Sequence, residues 1–435
     1  MSEVAAEKLQ PAVPETVGRK PVQAWSLTGM LVLLYMINYA DKATIGLVAQ
    51  PLAQEFGLSA STIGLVSGLF YLTFTIGGFG AGLLNRWAGL RWSIALLGLT
   101  WAACMLPIAI AGGFAVLLVS RILLGLAEGP SSALLHTAAY SWHPPEKRSI
   151  PGAWITAGGS FGKIALTPLL ALVIFHWGWR AAFLVMTAVG VAWCIVWLLT
   201  WRDGPFIRAN TSKTGATEGP QVPWRRIILT PTFLGGAVAV CAVYSLVTIV
   251  LTWLPSYFEL GLGYSRLEAG SMFGFPSIAG VVALFLLGMF SDRVLRHLGG
   301  RWARGIVPAI SMLISGLALA LLPLISGAWQ SVLVVSIGYG FGMAVLPLFN
   351  AAIQQICPPE RIAGALGVFL ALMAVGGLVA PYITGAIVDA AASPAEGYVT
   401  AFQIFGMVVL VGGIIALLTV DPVRDSAKIG IPSKA

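Results

Sequence analysis

Three observations predict an all-α, polytopic membrane protein with twelve transmembrane helices in two pseudo-symmetric six-helix bundles. Of the 435 residues, 58% are hydrophobic and only 10% are Asp, Glu, Lys or Arg, and the mean hydropathy is +0.88. A soluble domain carries roughly 25% charged residues. The apolar residues fall in long runs without the alternation of a barrel strand, and about 20 such residues let a helix cross a bilayer with its backbone groups satisfied internally. The runs number twelve, and one polar stretch divides them six and six.

The first run, 24 to 49, follows a polar N-terminal tail, 1 to 23, that ends in Arg19 and Lys20. The run is too long for a signal peptide and lacks a cleavage site. The second, 61 to 84, gives way to "LLNRW" (83 to 87); the third covers 92 to 112 and the fourth 114 to 140. "HPPEKR" (143 to 148) precedes the fifth, 150 to 174, which is Gly-rich and contains Pro168; "WGWRAAF" opens the sixth, 181 to 201. The stretch 202 to 229 includes "RANTSKTGATEGPQVPWRR", the composition of a linker rather than of a folded domain. Beyond it the runs are 230 to 255, 267 to 290, 305 to 326, 328 to 356, 365 to 388 and 399 to 420, with a C-terminal tail from 421 to 435. The second half echoes the first. "MFSDR" (289 to 293) answers "LLNRW", and "CPPERI" (357 to 362) answers "HPPEKR", each of the latter pair leading to a Gly-rich run with Pro168 or Pro381. A six-plus-six repeat is a known transporter plan, with the binding site at the bilayer midplane where the halves meet.

Threading the runs alternately across a bilayer places 20 of the 25 Lys and Arg in the tails and even-numbered loops, and two, Arg180 and Arg266, in odd loops. The positive-inside rule then sets both termini in the cytoplasm, in a multi-pass protein of the inner (cell) membrane. This scatter of charge also argues against a nucleic-acid partner, which a net charge of +8 alone would suggest. Cys104, Cys194, Cys241 and Cys357 are far apart and lack metal-ligand spacing. The Gly-rich stretches lie inside apolar runs with no strand before them, so they serve helix contact and not a nucleotide. No metal, cofactor or catalytic nucleophile is expected, and a monomer is.

Five ionisable residues lie within the runs: Asp41, Lys42, Arg121, Glu128 and Lys163. At about 1.5 Å per residue, Asp41, Lys42 and Arg121 fall roughly 10 to 12 Å below the outer surface. Glu128 lies two turns deeper on the Arg121 face, and Lys163, about 20 Å in from the cytoplasm, is near the midplane. Each such charge costs about 2.5 to 3.5 kcal/mol at a helix centre unless it is paired or faces a wet cavity.

Two readings stay open. In one, Asp41 with Arg121 and Glu128 with Lys163 are ion pairs that lock helices together. In the other, Asp41 and Glu128 take up protons, while Lys42, Arg121 and Lys163 draw in a carboxylate whose arrival or departure changes protonation. Tyr35 and Tyr39 share a stripe with Lys42, and Tyr71, Phe74 and Trp154 are placed to flank it. Tyr244, Trp253, Asn350 and Gln354 are the second-half candidates, the last two one turn apart. For these aromatic and amide side chains, ordinary packing or interhelical hydrogen bonding is the competing reading.

With these residues in view, the chain resembles the major facilitator superfamily. "GMFSDRVLRHLGGR" is similar to its signature loop, with Gly288, Asp292 and Arg293 in place, whereas "GAGLLNRWAGLR" has Asn85 where the signature has Asp, and its Gly89 is displaced by one position. The resemblance implies a latch between the halves, in the outward-open state, at Asp292 and Arg293. More narrowly, "NYADKATIG", "SRILLGLAEGP" and "WGWRAAF" resemble the anion:cation symporter family, which carries organic anions with protons, at Asn38, Tyr39, Asp41, Lys42, Arg121, Gly125 and Glu128. Lys42 stands where that family usually has arginine, and Lys163 where it has a small uncharged residue. The implied function is proton-coupled import of a small organic anion, a sugar acid or another aromatic or aliphatic carboxylate, by alternating access. The alternatives are a phosphate-ester exchanger, an electrogenic uniporter, a non-transporting membrane sensor and a membrane enzyme.

Overall fold

The computed structural model describes residues 21–110, 112–144, 147–206, 222–358 and 361–430. It contains twelve helices long and apolar enough to span a membrane, and no strand among the described residues. In the first half these are α1 (Val22–Phe56), α2 (Ala60–Gly78), α3 (Ala81–Ile110), α4 (Phe114–Tyr140), α5 (Ile150–Trp177) and α6 (Trp179–Thr200). The second half supplies α7 (Pro231–Gly261), α8 (Arg266–Leu298), α9 (Trp302–Ala320), α10 (Ala328–Gln355), α11 (Gly364–Ala390) and α12 (Pro394–Thr419). A short helix, α13 (Pro422–Ile429), then folds back on the start of α7, where the buried Asp425 accepts from the Thr232 amide at 3.0 Å and its hydroxyl at 2.8 Å.

Glycine sets the turns where the chain reverses. Gly89, inside α3, has φ 68 and ψ 169, and Gly299, just after α8, has φ 86 and ψ 177. A Cβ disfavours that region. The two echoed loops therefore share one backbone device, despite the displaced glycine and the missing acid in the first copy. Asp292 does not bridge the halves in this conformation: its side chain is 67% exposed, and its partner is Arg304 of its own half, at 3.4 Å. Arg293 is exposed as well.

"WGWRAAF" also acquires a structural explanation. Gly178 turns the chain with φ 80, and Trp179 and Arg180 then both bond Glu55 at the end of α1, the indole at 2.8 Å. Arg266, the other odd-loop cation, pairs with Glu259 at 3.1 Å. Both basic side chains on the face opposite the chain ends are thus neutralised by a carboxylate.

On that face the halves touch closely. A Cβ at Gly64 of α2 would lie 2.7 Å from the Pro381 carbonyl carbon of α11, and comparable approaches occur at Gly46 against Leu251 and Gly385 against Ala60. Small residues let transmembrane backbones approach in this way. Gln50 donates to Ser256 at 3.0 Å, and Asp389 at the end of α11 accepts from the amides of Ala60 and Ser61 at 2.9 and 2.8 Å. Asp389 thereby caps the positive N-terminal end of a helix in the other half. Asp389→Ala is expected to speed hydrogen exchange at these two amides by about tenfold or more, measured by exchange mass spectrometry. Unchanged exchange would show that the cap does not hold this face shut.

Candidate functional site

Three helical irregularities position the buried charges. α1 does not stop at residue 49 but runs through Pro51 to Phe56. Lys42 therefore lies fourteen residues from its end, about 21 Å at 1.5 Å per residue, so the shallower depth expected for Asp41 and Lys42 is corrected to mid-span. α4 breaks after Glu128, at Gly129 and Pro130. Its glycines admit α2: a Cβ at Gly125 would sit 3.1 Å from the Phe70 carbonyl carbon, and one at Gly129 would sit 2.8 Å from the carbonyl carbon of Gly77. α5 contains a π-helical turn, Gly162–Leu166, that carries Lys163. Such single turns are frequent at functional sites.

These elements bring all five ionisable side chains into the interior: Asp41 and Arg121 are 2% exposed, Lys42 6%, Lys163 1% and Glu128 0%. Their partners differ from the pairs that the sequence brings to mind. Lys42 Nζ lies 3.1 Å from Glu128 Oε2, donates to Asn38 Oδ1 at 2.6 Å, and sits 4.7 Å from the ring centroids of both Tyr39 and Phe74. Arg121 Nη1 donates to the main-chain oxygen of Asp41, not to its carboxylate, at 3.4 Å. Lys163 Nζ donates to the Tyr339 hydroxyl of α10 at 2.7 Å, and lies 5.5 Å from the Tyr39 ring. Lys42–Glu128 is the one ion pair formed by these five residues among the described residues.

Several buried polar atoms have no hydrogen-bond partner among the described residues. They include Nε and Nη2 of Arg121, Oδ1 of Asp41 and Oγ of Ser67. Arg121, Lys42, Ser67, Tyr71 and, from α7, Thr252 line a cavity of about 10 Å³. That is room for roughly one water. Unsatisfied guanidinium N–H groups beside a cavity are what an anionic oxygen would complete.

The remaining sequence candidates divide. Tyr35 meets Tyr39 edge-on at 5.2 Å, Phe74 underlies Lys42, and Tyr71 meets Tyr244 of α7 edge-on at 5.9 Å, so all five flank the cluster. Trp154 is 49% exposed and lies against Phe161 instead. Asn350 and Gln354 belong to the far segment of α10, Leu346–Gln355, beyond a break in that helix; Gln354 is exposed, and neither is brought to the cations. Trp253 is wholly buried and bonds the Pro381 carbonyl at 3.0 Å, a packing role. The second half reaches the cluster through Tyr339, Tyr244 and Thr252. Tyr339 is not among the sequence candidates; its only signals are its depth, eleven residues after the start of a 28-residue span, and the flanking glycines of "GYGFG".

A sequence-family model described as the Major Facilitator Superfamily matches residues 31–381 and 295–434. The probable sulfoacetate transporter SauU of Cupriavidus necator is 27% identical over 92% of this chain and 96% of its own length. The hexuronate transporter of Bacillus subtilis is 26% identical over 82% and 86%, and an MFS-type efflux pump of Mycolicibacterium smegmatis is 29% identical over 85% of each chain. The crystal structure of a bacterial homologue of the human lysosomal transporter Spinster, inward-facing and occupied, has the same fold, with a TM-score of 0.78 at 19% identity over 96% of this chain and 100% of that one.

Proposed function

Because this chain belongs to the Major Facilitator Superfamily, and is thus a multi-pass membrane transporter and not an enzyme, we propose that it moves a small organic anion by alternating access around the buried cations of α1, α4 and α5. One observation carries the proposal: three buried cations share the centre, and only Lys42 has an acidic side chain within ion-pair distance among the described residues. At about 2.5 to 3.5 kcal/mol per charge in mid-membrane, Arg121 and Lys163 call for an anion that arrives from outside the protein. The names of the sulfoacetate and hexuronate transporters support the same substrate class.

The finer reading is proton-coupled symport into the cell, with Glu128 and Asp41 as the proton-accepting groups. The Lys42–Glu128 pair supplies a mechanism. Protonating Glu128 dissolves the pair and frees Lys42 for the anion, so a proton and an anion are taken up together. Both chain ends lie in the cytoplasm of a cell-membrane protein in this reading, which makes the contacts at Gly64, Asp389 and Gln50 the closed outer gate. Outward movement is the second reading, favoured by the similarity to the efflux pump.

A thermal-shift screen of organic acids on the purified protein tests the substrate class. Sulfoacetate and D-glucuronate are expected to stabilise the wild type, by about 2.7 kcal/mol at a hundred times Kd, and Arg121→Ala is expected to lose that effect. Stabilisation by neutral compounds but by no organic acid would overturn the anion assignment.

A further inference from the structure

We propose that the Lys163 ammonium and the Tyr339 hydroxyl together form a two-donor subsite for one anionic group of the substrate, which makes Tyr339 a specificity-determining residue contributed by the second half. The proposal rests on the anion-carrier reading above and adds a partner from α10 that the sequence did not single out.

The chemistry follows from hydrogen count. An ammonium has three N–H donors, and Lys163 gives one to the Tyr339 oxygen at 2.7 Å. Since that oxygen accepts, the phenol's own O–H stays free to donate elsewhere. Two donor groups therefore sit side by side, one charged, both buried and each from a different half: Lys163 is 1% exposed and Tyr339 0%. One carboxylate or sulfonate oxygen can accept from both. Among the described residues, the neighbours supply no competing anion. α1 presents Lys42 and the ring of Tyr39 to this place, and α10 presents the ring of Tyr339 at 5.1 Å. α8 packs against the turn through Gly274, where a Cβ would be 3.2 Å from Ile164 Cα and 3.6 Å from the Lys163 oxygen. Glu128 is already committed to the Lys42 ammonium, at 3.1 Å.

The geometry also fixes the donor in place. The π-helical turn inserts one extra residue per turn at Gly162–Leu166, and the Thr167 hydroxyl donates to the Lys163 carbonyl just below it. Lys42 and Lys163 flank one and the same ring, that of Tyr39, at 4.7 and 5.5 Å. The subsite is thus adjacent to the Lys42 and Arg121 region and distinct from it, so a substrate with polar groups at both ends can engage both. Because one donor belongs to each half, filling the subsite ties substrate recognition to the approach of α10 towards α5.

The test compares Tyr339→Phe with the wild type, using D-glucuronate and its uncharged amide, D-glucuronamide, as probes. Y339F keeps the ring and deletes the donor. It is expected to weaken D-glucuronate by about 10- to 100-fold, the worth of a hydrogen bond to a charged group, with little change for the amide. Lys163→Met reads the same subsite from α5, which keeps the proposal testable if Y339F lowers the yield. The double variant is expected to bind D-glucuronate no worse than K163M alone, since the two groups act as a unit. A strut that merely joins the halves would change the melting temperature without ligand and leave the acid-to-amide ratio at its wild-type value; that result overturns the proposal. If the wild type binds neither D-glucuronate nor sulfoacetate, the anion-carrier reading itself falls and this subsite falls with it, whereas wild-type binding matched by Y339F and K163M removes the subsite alone.

Discussion

Glu128→Gln is expected to abolish accumulation of the anion against its gradient while leaving exchange of labelled for unlabelled anion across the membrane intact. Glutamine holds position 128 permanently in the state that protonation would reach, so Lys42 is free of its carboxylate partner at every pH. Anion binding then no longer waits for a proton. In proteoliposomes with an imposed inward gradient of one pH unit, an electroneutral one-to-one symporter accumulates its anion about tenfold, since one unit is about 1.36 kcal/mol. E128Q is expected to equilibrate and go no further. Accumulation that persists at the wild-type level would remove Glu128 from the proton path and leave Asp41, whose Oδ1 has no hydrogen-bond partner among the described residues, as the acid to examine.

Lys42→Met is expected to have the largest effect on stability. It would strand the Glu128 carboxylate, fully buried and 3.1 Å from the lost ammonium, and breaking one side of a buried pair costs about 3 to 5 kcal/mol. Removing both charges is far milder, because the desolvation cost leaves with them. K42M combined with E128Q should therefore recover most of the stability that K42M loses, as read from melting curves of the purified proteins in detergent. Additive losses in the double variant would show that the pair is not energetically coupled. Neither K42M nor the double variant is expected to bind sulfoacetate as the wild type does, because Lys42 is also part of the anion site.

Much of the architecture was legible from hydropathy, and the reason is physical: a bilayer requires each span to be apolar and internally bonded, so twelve runs became twelve helices. The spread of Lys and Arg and the two echoed loops were equally visible, while the turning role of Gly89 and Gly299 came only with the backbone angles. What failed was depth at one helix. The first run read as ending at 49, yet α1 continues through Pro51 to Phe56, and that error lifted Asp41 and Lys42 towards the surface and hid the partnership of Lys42 with Glu128.

Direction was harder still. Stepping 100° per residue assumes an unbroken α-helix, and the π-helical turn at Lys163 and the break after Glu128 both reset the phase. Which way Lys163 points could not be counted from the start of α5. Tyr339 escaped for a different reason, because a tyrosine between glycines in an apolar run has the same pattern whether it packs a helix or meets a cation from the other half.

The central claim is that the buried cations of α1, α4 and α5 form one anion site that the second half completes. A structure determined with sulfoacetate or D-glucuronate bound tests it most directly. The account predicts the acid at mid-depth between the halves, with an anionic oxygen in hydrogen-bond contact with Arg121 or Lys163. An acid held elsewhere, with Arg121 and Lys163 keeping the partners described above, would contradict it.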